Sequence, residues 1–227
     1  LPRKLRIGYY FEDGFVRTSP ANRRAVQETV TALEKAGHEV VEFDLPFGPK
    51  SIQLFAGISS ADGYRSLLLP LQGDPVEKNL FLITLGPRLF RWVQVSAAWL
   101  IKKVLKDDIF ANTFLKSKHS TLTEFWKNME AKDIMNREFY EQVWDKHGFD
   151  AIIAPGMVCP ALPHGATTTL SPLANGTFFY NIVDSPVGAV PVTRVDAEKD
   201  NLSTEWTKLG EQLRKTGYEG STIINGN

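Results

Sequence analysis

Cysteine is almost missing from this chain. Cys159 stands alone among 227 residues, which excludes an internal disulfide framework and any CxxC metal or thiol-exchange pair, and fits a reducing compartment. Net charge is missing too: Lys plus Arg and Asp plus Glu each number 26. No global field recruits nucleic acid, and no nucleic-acid partner is expected. Long hydrophobic runs are absent. The most apolar region, Phe81 to Leu105, is broken by Gly86-Pro87-Arg88 and Arg91, leaving Trp92 to Ile101 uncharged. That is ten residues, where a bilayer span needs about 20. The chain opens on Leu1-Pro2-Arg3 with neither an initiating Met nor a signal-like apolar core, so it reads as a piece of something longer, cytoplasmic or peripheral on an intracellular membrane.

Familiar catalytic signatures are lacking as well. There is no Gly-x-Ser-x-Gly elbow for a serine nucleophile. Gly48-Pro49-Lys50-Ser51 ends like a phosphate loop but lacks the preceding glycine spacing, so it reads as plain loop. The four histidines, His38, His119, His147 and His164, fall on separate segments without HxH or HxxxH spacing, and no metal or other cofactor is indicated. Cys159 and His164 share a loop, yet a thiolate pair also needs an orienting third group, and a packed inert thiol is the simpler reading. Asp150 and Asp184 lie beside strand patterns where an acid or base could stand. A junction residue and a turn-forming Asx are the preferred readings, since one carboxylate without a partner gives no mechanism.

What is present is enough apolar content, 43%, for one substantial core. Leu5 to Tyr10 reads as a strand. Ser19-Pro20 opens a helix to about Ala36, with Ala25, Val26, Thr29, Val30 and Leu33 facing inward and Gly37 ending it. His38 to Phe43 is a second strand, completing a parallel βαβ unit. A helix carrying Ile52, Leu54, Phe55 and Ile58 follows from Ser51, interrupted near Gly57 and Gly63. Phe81 to Leu105 gives two apolar helices separated at Gly86-Pro87, and Asp107-Asp108 caps a segment to Leu115. Thr121 to His147 is a long amphipathic helix with Leu122, Phe125, Trp126, Met129, Ile134, Phe139, Val143 and Trp144 as its buried set. Ala151 to Ala154 and Gly188 to Val192 are short apolar runs beside proline-rich loops, as expected of strands buried in a parallel sheet. Thr204 to Tyr218 reads as a last helix. The fold class is α/β, a mixed, largely parallel sheet flanked by helices.

The stretch around Trp92 and Trp99 has two readings. Its apolar residues lie among Arg88, Arg91, Lys102, Lys103 and Lys106, a mixture suited to an interfacial helix whose cations meet lipid headgroups. It suits equally a hairpin packed in the core or a homodimer interface.

The ordered blocks Leu5-Arg-Ile-Gly-Tyr-Tyr10, Ser19-Pro-Ala-Asn-Arg-Arg-Ala25, Ala36-Gly-His-Glu-Val40, Asp62-Gly-Tyr-Arg-Ser66, Asp150-Ala-Ile-Ile-Ala-Pro155 and Tyr180 to Thr193 together resemble the amidase signature family, in the branch of the fatty-acid amide hydrolases. The likeness extends from the first residue to about Thr193 and is to the C-terminal half of such enzymes. It implies that residues 1–227 are the C-terminal part of a single amidase domain, with a membrane-cap helical hairpin at about 81–115. The family hydrolyses amides with a Ser-cisSer-Lys triad set in a Gly-Gly-Ser-Ser-Gly-Gly-like segment, and that segment is absent here. The chain would therefore supply no catalytic residue and would not turn over alone. By resemblance it would provide a wall of the acyl channel through Phe15, Ala56, Ser60, Ile83, Ser171, Ala174 and Phe178, for a hydrophobic amide substrate. Ser60 stands where the mammalian enzymes carry an aromatic. Trp92, Trp99, Lys102 and Lys103 would meet the membrane surface. The competing reading is a non-catalytic module binding a small ligand or a membrane surface.

Overall fold

The structure, a computed structural model, describes residues 3–166 and 175–201. Its centre is a parallel three-stranded sheet. Arg6–Tyr9 (β1) lies in the middle, with Ile7 opposite both Val40 and Ala151. Gly8 has no side chain because the Phe149 ring lies over it: a Cβ there would come within 2.5 Å of a ring carbon.

From β1 the chain enters the helix Pro20–Lys35 (α1), where the Ser19 hydroxyl accepts from the Asn22 amide at 3.4 Å and Pro20 fills a first-turn position that needs no donor. Val26 and Val30 are buried beneath it. Gly37, at φ +89°, turns the chain into Glu39–Glu42 (β2), parallel to β1. The βαβ unit is thus the one expected, and the molecule is a mixed α/β fold with a small parallel sheet.

Gly48–Ser59 (α2) begins three residues before Ser51 and runs straight through Gly57. The interruption falls at residues 60–64, where Gly63 and Tyr64 both have positive φ. Arg65–Leu68 (α3) is a single turn. Phe81–Arg88 (α4) contains Gly86 and Pro87, and the break before Arg91–Leu100 (α5) comes at Leu89 and Phe90. Gly86 belongs to packing: a Cβ there would lie 2.3 Å from the Ser117 carbonyl oxygen. A π-helical turn, Ile101–Leu105, leads to Asp107, which caps Asp108–Lys116 (α6) by accepting from the Phe110 amide at 2.8 Å.

Leu122–Phe139 (α7) starts with a reciprocal capping box between Thr121 and Glu124 and continues as a π-helical turn, Tyr140–Asp145. Its buried face is Met135, Phe139 and Val143, spaced by four. The expected burial of Leu122, Trp126 and Ile134 is corrected: all three are exposed, because helical spacing puts them on the face of α7 turned away from Met135, Phe139 and Val143. Ala151–Ile153 (β3) pairs with β1, and Asn175–Ile182 (α8) brings Phe179 and Ile182 into the main core with Tyr10, Phe43 and Phe139. A second core gathers Phe15, Val16, Ile52, Ile109 and Val158.

One expected strand is corrected. Gly188 to Val192 joins no sheet, since among the described residues no strand stands beside it, and Val187 and Val190 are exposed. The expected helix at Thr204 to Tyr218 lies outside the described residues.

Candidate functional site: an apolar cavity between four helices

Helices α2, α4, α6 and α8 surround a cavity of about 360 Å³. One side comes from α2, where Ile52, Phe55, Ala56 and Ser59 recur at helical spacing. Opposite stand Leu80, Leu82 and Ile83, then Phe110, Thr113 and Phe114 of α6, and Phe178 of α8 closes the floor. Phe178 stacks on Phe55, ring centroids 4.3 Å apart. Ser59 donates to the Phe55 carbonyl at 2.7 Å and Thr113 to the Ile109 carbonyl at 2.8 Å, each within its own helix, while the buried Oγ of Ser117 has no hydrogen-bond partner among the described residues. A ligand here meets hydrocarbon and aromatic surface and few free hydrogen-bonding groups, as a chain of methylenes requires. Leu67 lines the cavity and is itself exposed, so the space reaches the surface there.

Of the seven positions proposed for an acyl wall, Ala56, Ile83 and Phe178 meet around this cavity. Ser60 is fully buried behind it, its hydroxyl donating to the Lys118 carbonyl at 3.2 Å and accepting from the Lys118 amide at 3.0 Å, which fastens the end of α2 to the segment after α6. Phe15 is fully buried in the second core, in the layer against which Phe178 packs. Ser171 and Ala174 lie outside the described residues. The α6 wall was not foreseen: its apolar residues read as part of the cap hairpin. The signal lay in the Asp107 cap, which starts a separate helix with Phe110, Thr113 and Phe114 on one face.

The acidic candidates are structural. Asp150 accepts from the Arg6 amide at 2.9 Å and from Arg3 at 2.8 Å, bonds that hold its carboxyl below the usual range and tie the start of the chain to β3. Asp184, at φ +49°, pairs with Lys132 at 2.5 Å. Burial pushes the Cys159 thiol up, away from nucleophilic use, and His164 lies in an exposed turn. Among the described residues no group of three His, Cys, Asp or Glu could hold a metal ion.

Beside the cavity, α5 is turned inside out. Polar Gln94 is buried and donates to the carbonyls of Phe114 and Ser117, both at 2.7 Å, while Trp92 and Trp99 are 71% and 61% exposed. Lys103 is exposed, and Lys102 forms an ion pair with Asp108 at 3.3 Å. No described helix is long and apolar enough to cross a membrane.

A family model described as Amidase matches residues 1–213. The chain is 31% identical over 222 residues to fatty acid amide hydrolase 1 of Caenorhabditis elegans, covering 94% of this chain and 37% of that protein. It is 54% identical over 219 residues to amidase FG08078 of Gibberella zeae, covering 91% of this chain and 34% of that protein. A solved fatty acid amide hydrolase superposes with a TM-score of 0.62 at 22% identity, covering 94% of this chain and 33% of the other. The chain therefore spans about a third of the length of these relatives, less than the half expected. With a family model matching nearly its whole length, this chain belongs to the amidase family.

Proposed function

We propose that this chain is the C-terminal part of an amidase that hydrolyses the C–N bond of fatty-acid or other hydrophobic amides. It forms the wall that holds the acyl chain, and the rest of the amidase domain supplies the Ser-Ser-Lys chemistry. The observation that carries this reading is the apolar cavity shared by Ala56, Ile83 and Phe178, in which the Ser59 and Thr113 hydroxyls are engaged within their own helices. Such a surface gains free energy with each methylene buried, about 0.8 kcal/mol per CH₂, so it favours long acyl chains over short ones. The polar reacting end of the amide would be handled elsewhere, by the nucleophile, base and oxyanion donors that this sequence lacks.

The test uses the longer protein that carries this sequence. Phe178→Ala removes the ring that closes the cavity floor and stacks on Phe55, and kcat/KM should fall more for long-chain than for short-chain amides. An equal fall for both would remove Phe178, and with it this cavity, from the acyl site.

The exposed Trp92 and Trp99 support a companion reading, in which α5 rests on a lipid surface with Lys102 and Lys103 toward the headgroups. Leu67, at the open side of the cavity, would then admit an amide from that side. Replacing both tryptophans by Ser should reduce co-sedimentation with anionic vesicles. Unchanged sedimentation would assign α5 to a protein contact.

A further inference from the structure

Ser117 stands where α6 ends, lines the cavity and is only 8% exposed. Its backbone is engaged: the amide donates to the Thr113 and Phe114 carbonyls, both at 3.2 Å, and the carbonyl accepts from Gln94 at 2.7 Å. Its hydroxyl is not. The buried Oγ has no hydrogen-bond partner among the described residues and rests against Gly86, where a Cβ would come within 2.6 Å of it. A buried hydroxyl without a partner destabilises the fold that keeps it, and native proteins keep few of them.

Two further hydroxyls belong to the same corner. Thr113 lies one helical turn before Ser117, and both line the cavity. Ser59 comes from the facing wall: the Ser60 hydroxyl is bonded both ways to the Lys118 backbone, and that joint sets Ser59 and Ser117, the residues just before its two partners, on either side of it. Ser59 and Thr113 give their protons to carbonyls of their own helices but keep oxygen lone pairs that can accept. Ser117 can both donate and accept. The other lining side chains are aliphatic or aromatic, the phenol of Tyr64 included, so the cavity is a hydrocarbon space with one hydroxyl-lined corner.

We propose that the cavity takes an acyl chain carrying a hydroxyl group away from its amide, and that Ser117 is the residue that selects it. This rests on the reading that the cavity is the acyl wall of an amidase. The corner favours an alcohol over other oxygens. A ligand hydroxyl has a proton for the Ser59 or Thr113 oxygen and lone pairs for the Ser117 proton, whereas an ether or a ketone can only accept. A carboxylate would bring an unpaired charge into hydrocarbon. The Ser117 hydroxyl is re-aimed by one staggered step about Cα–Cβ, so a ligand oxygen arriving beside it supplies the partner that the fold withholds. An unsubstituted methylene chain fills the same space and leaves that hydroxyl unpaired.

The experiment uses the longer protein that carries this sequence and compares hexadecanamide with its monohydroxylated isomers, the hydroxyl moved along the chain. In the unaltered protein one isomer, or a narrow run of them, should match or exceed hexadecanamide in kcat/KM, because the loss of water from the hydroxyl is offset only where it meets the corner. Ser117→Ala should lower the kcat/KM ratio of that isomer over hexadecanamide by about three- to tenfold, the usual effect of losing one hydrogen bond. It should leave the thermal midpoint where it is or raise it, since the oxygen removed bonds nothing in the fold. A preference for hexadecanamide over every isomer, or a ratio that Ser117→Ala does not move, overturns the proposal. So does a lower midpoint with equal losses on both amides, which would give Ser117 to the fold alone. Phe178→Ala separates this inference from the reading beneath it. If that variant discriminates by chain length while the Ser117 ratio stays put, the acyl wall stands and the hydroxyl preference falls. If the protein hydrolyses none of these amides, displacement of a bound dansyl-labelled fatty acid decides: tighter binding of a hydroxylated isomer that Ser117→Ala abolishes keeps the corner and removes the amidase, and equal binding removes both.

Discussion

Gly48 shows how one residue can fix a junction. A Cβ on it would lie 1.7 Å from the Asp13 carbonyl oxygen, a backbone atom that cannot swing aside. Asp13 in turn is buried and holds the amides of Phe15 and Val16 at 2.8 and 2.9 Å, so a shift there would disturb the second core. Gly48→Ala should lower the denaturant midpoint by the equivalent of about 1–3 kcal/mol or more. Gly37→Ala, with nothing within 4 Å but φ at +89°, should cost only about 1–2 kcal/mol. Equal midpoints would show that the Asp13 contact yields. The lone thiol gives a second expectation at this scale. Burial raises the Cys159 pKa above its ordinary value, so at a given pH below it the native protein holds less thiolate than the unfolded chain. Alkylation at mildly alkaline pH should be slower in the native state and rise on unfolding. A fast-reacting native thiol would reopen Cys159 as a nucleophile.

Among the elements, those set by local chemistry were legible in the sequence. Ser19-Pro20, Asp107 and Gly37 each carry their own reason for starting or ending a helix, and each does so in the fold. Elements that depend on a distant neighbour were not. Trp126 and Met135 are both apolar residues on one helix, yet Trp126 is 62% exposed and Met135 fully buried, because a separation of about two and a half turns puts them on opposite faces and only the Met135 face meets the main core. Met135→Ala should therefore cost about 2–5 kcal/mol, and Trp126→Ala about 0.5 kcal/mol or less, in the same thermal or denaturant titration. The cavity followed the same rule. Ala56, Ile83 and Phe178 were found through resemblance, whereas Phe110, Thr113 and Phe114 came into view only once α6 turned its apolar face toward α2.

The clamp of Arg24 on Asp200 belongs to this scale too. Hydrogen bonding from Arg24, first among the causes, lowers the Asp200 carboxyl from 3.8 to about 2. A lowered folded pKa means that the stabilisation is complete above the unfolded value and is lost as pH falls through the folded one. Protection of the Asp196 and Asp200 amides, which are bonded within this turn, against hydrogen exchange, corrected for intrinsic rates, should hold at neutral pH and fade between about pH 4 and about pH 2. In Arg24→Ala it should be low throughout. Retained protection in that variant would show that the segment is held by something other than the guanidinium.

At the scale of the molecule, the described residues form a parallel sheet of three strands, and their apolar surface is unevenly covered. Trp92 and Trp99 stand out on one helix, Val187 and Val190 on the last described segment. The Gly188 to Val192 run has the pattern of a buried strand, yet its valines are exposed and no strand stands beside it among the described residues, which is a fact about its surroundings rather than its residues. The proposed chemistry is likewise incomplete within this chain, where an apolar cavity is present and the Gly-Gly-Ser-Ser-Gly-Gly-like segment is not. The most direct test is to treat the native gene product with a fluorophosphonate serine probe and determine by mass spectrometry which polypeptide is labelled. The account predicts labelling of a protein substantially longer than 227 residues that contains this sequence, with the modified serine outside it. A modified serine within these residues, or a longer product that stays unlabelled, would contradict it.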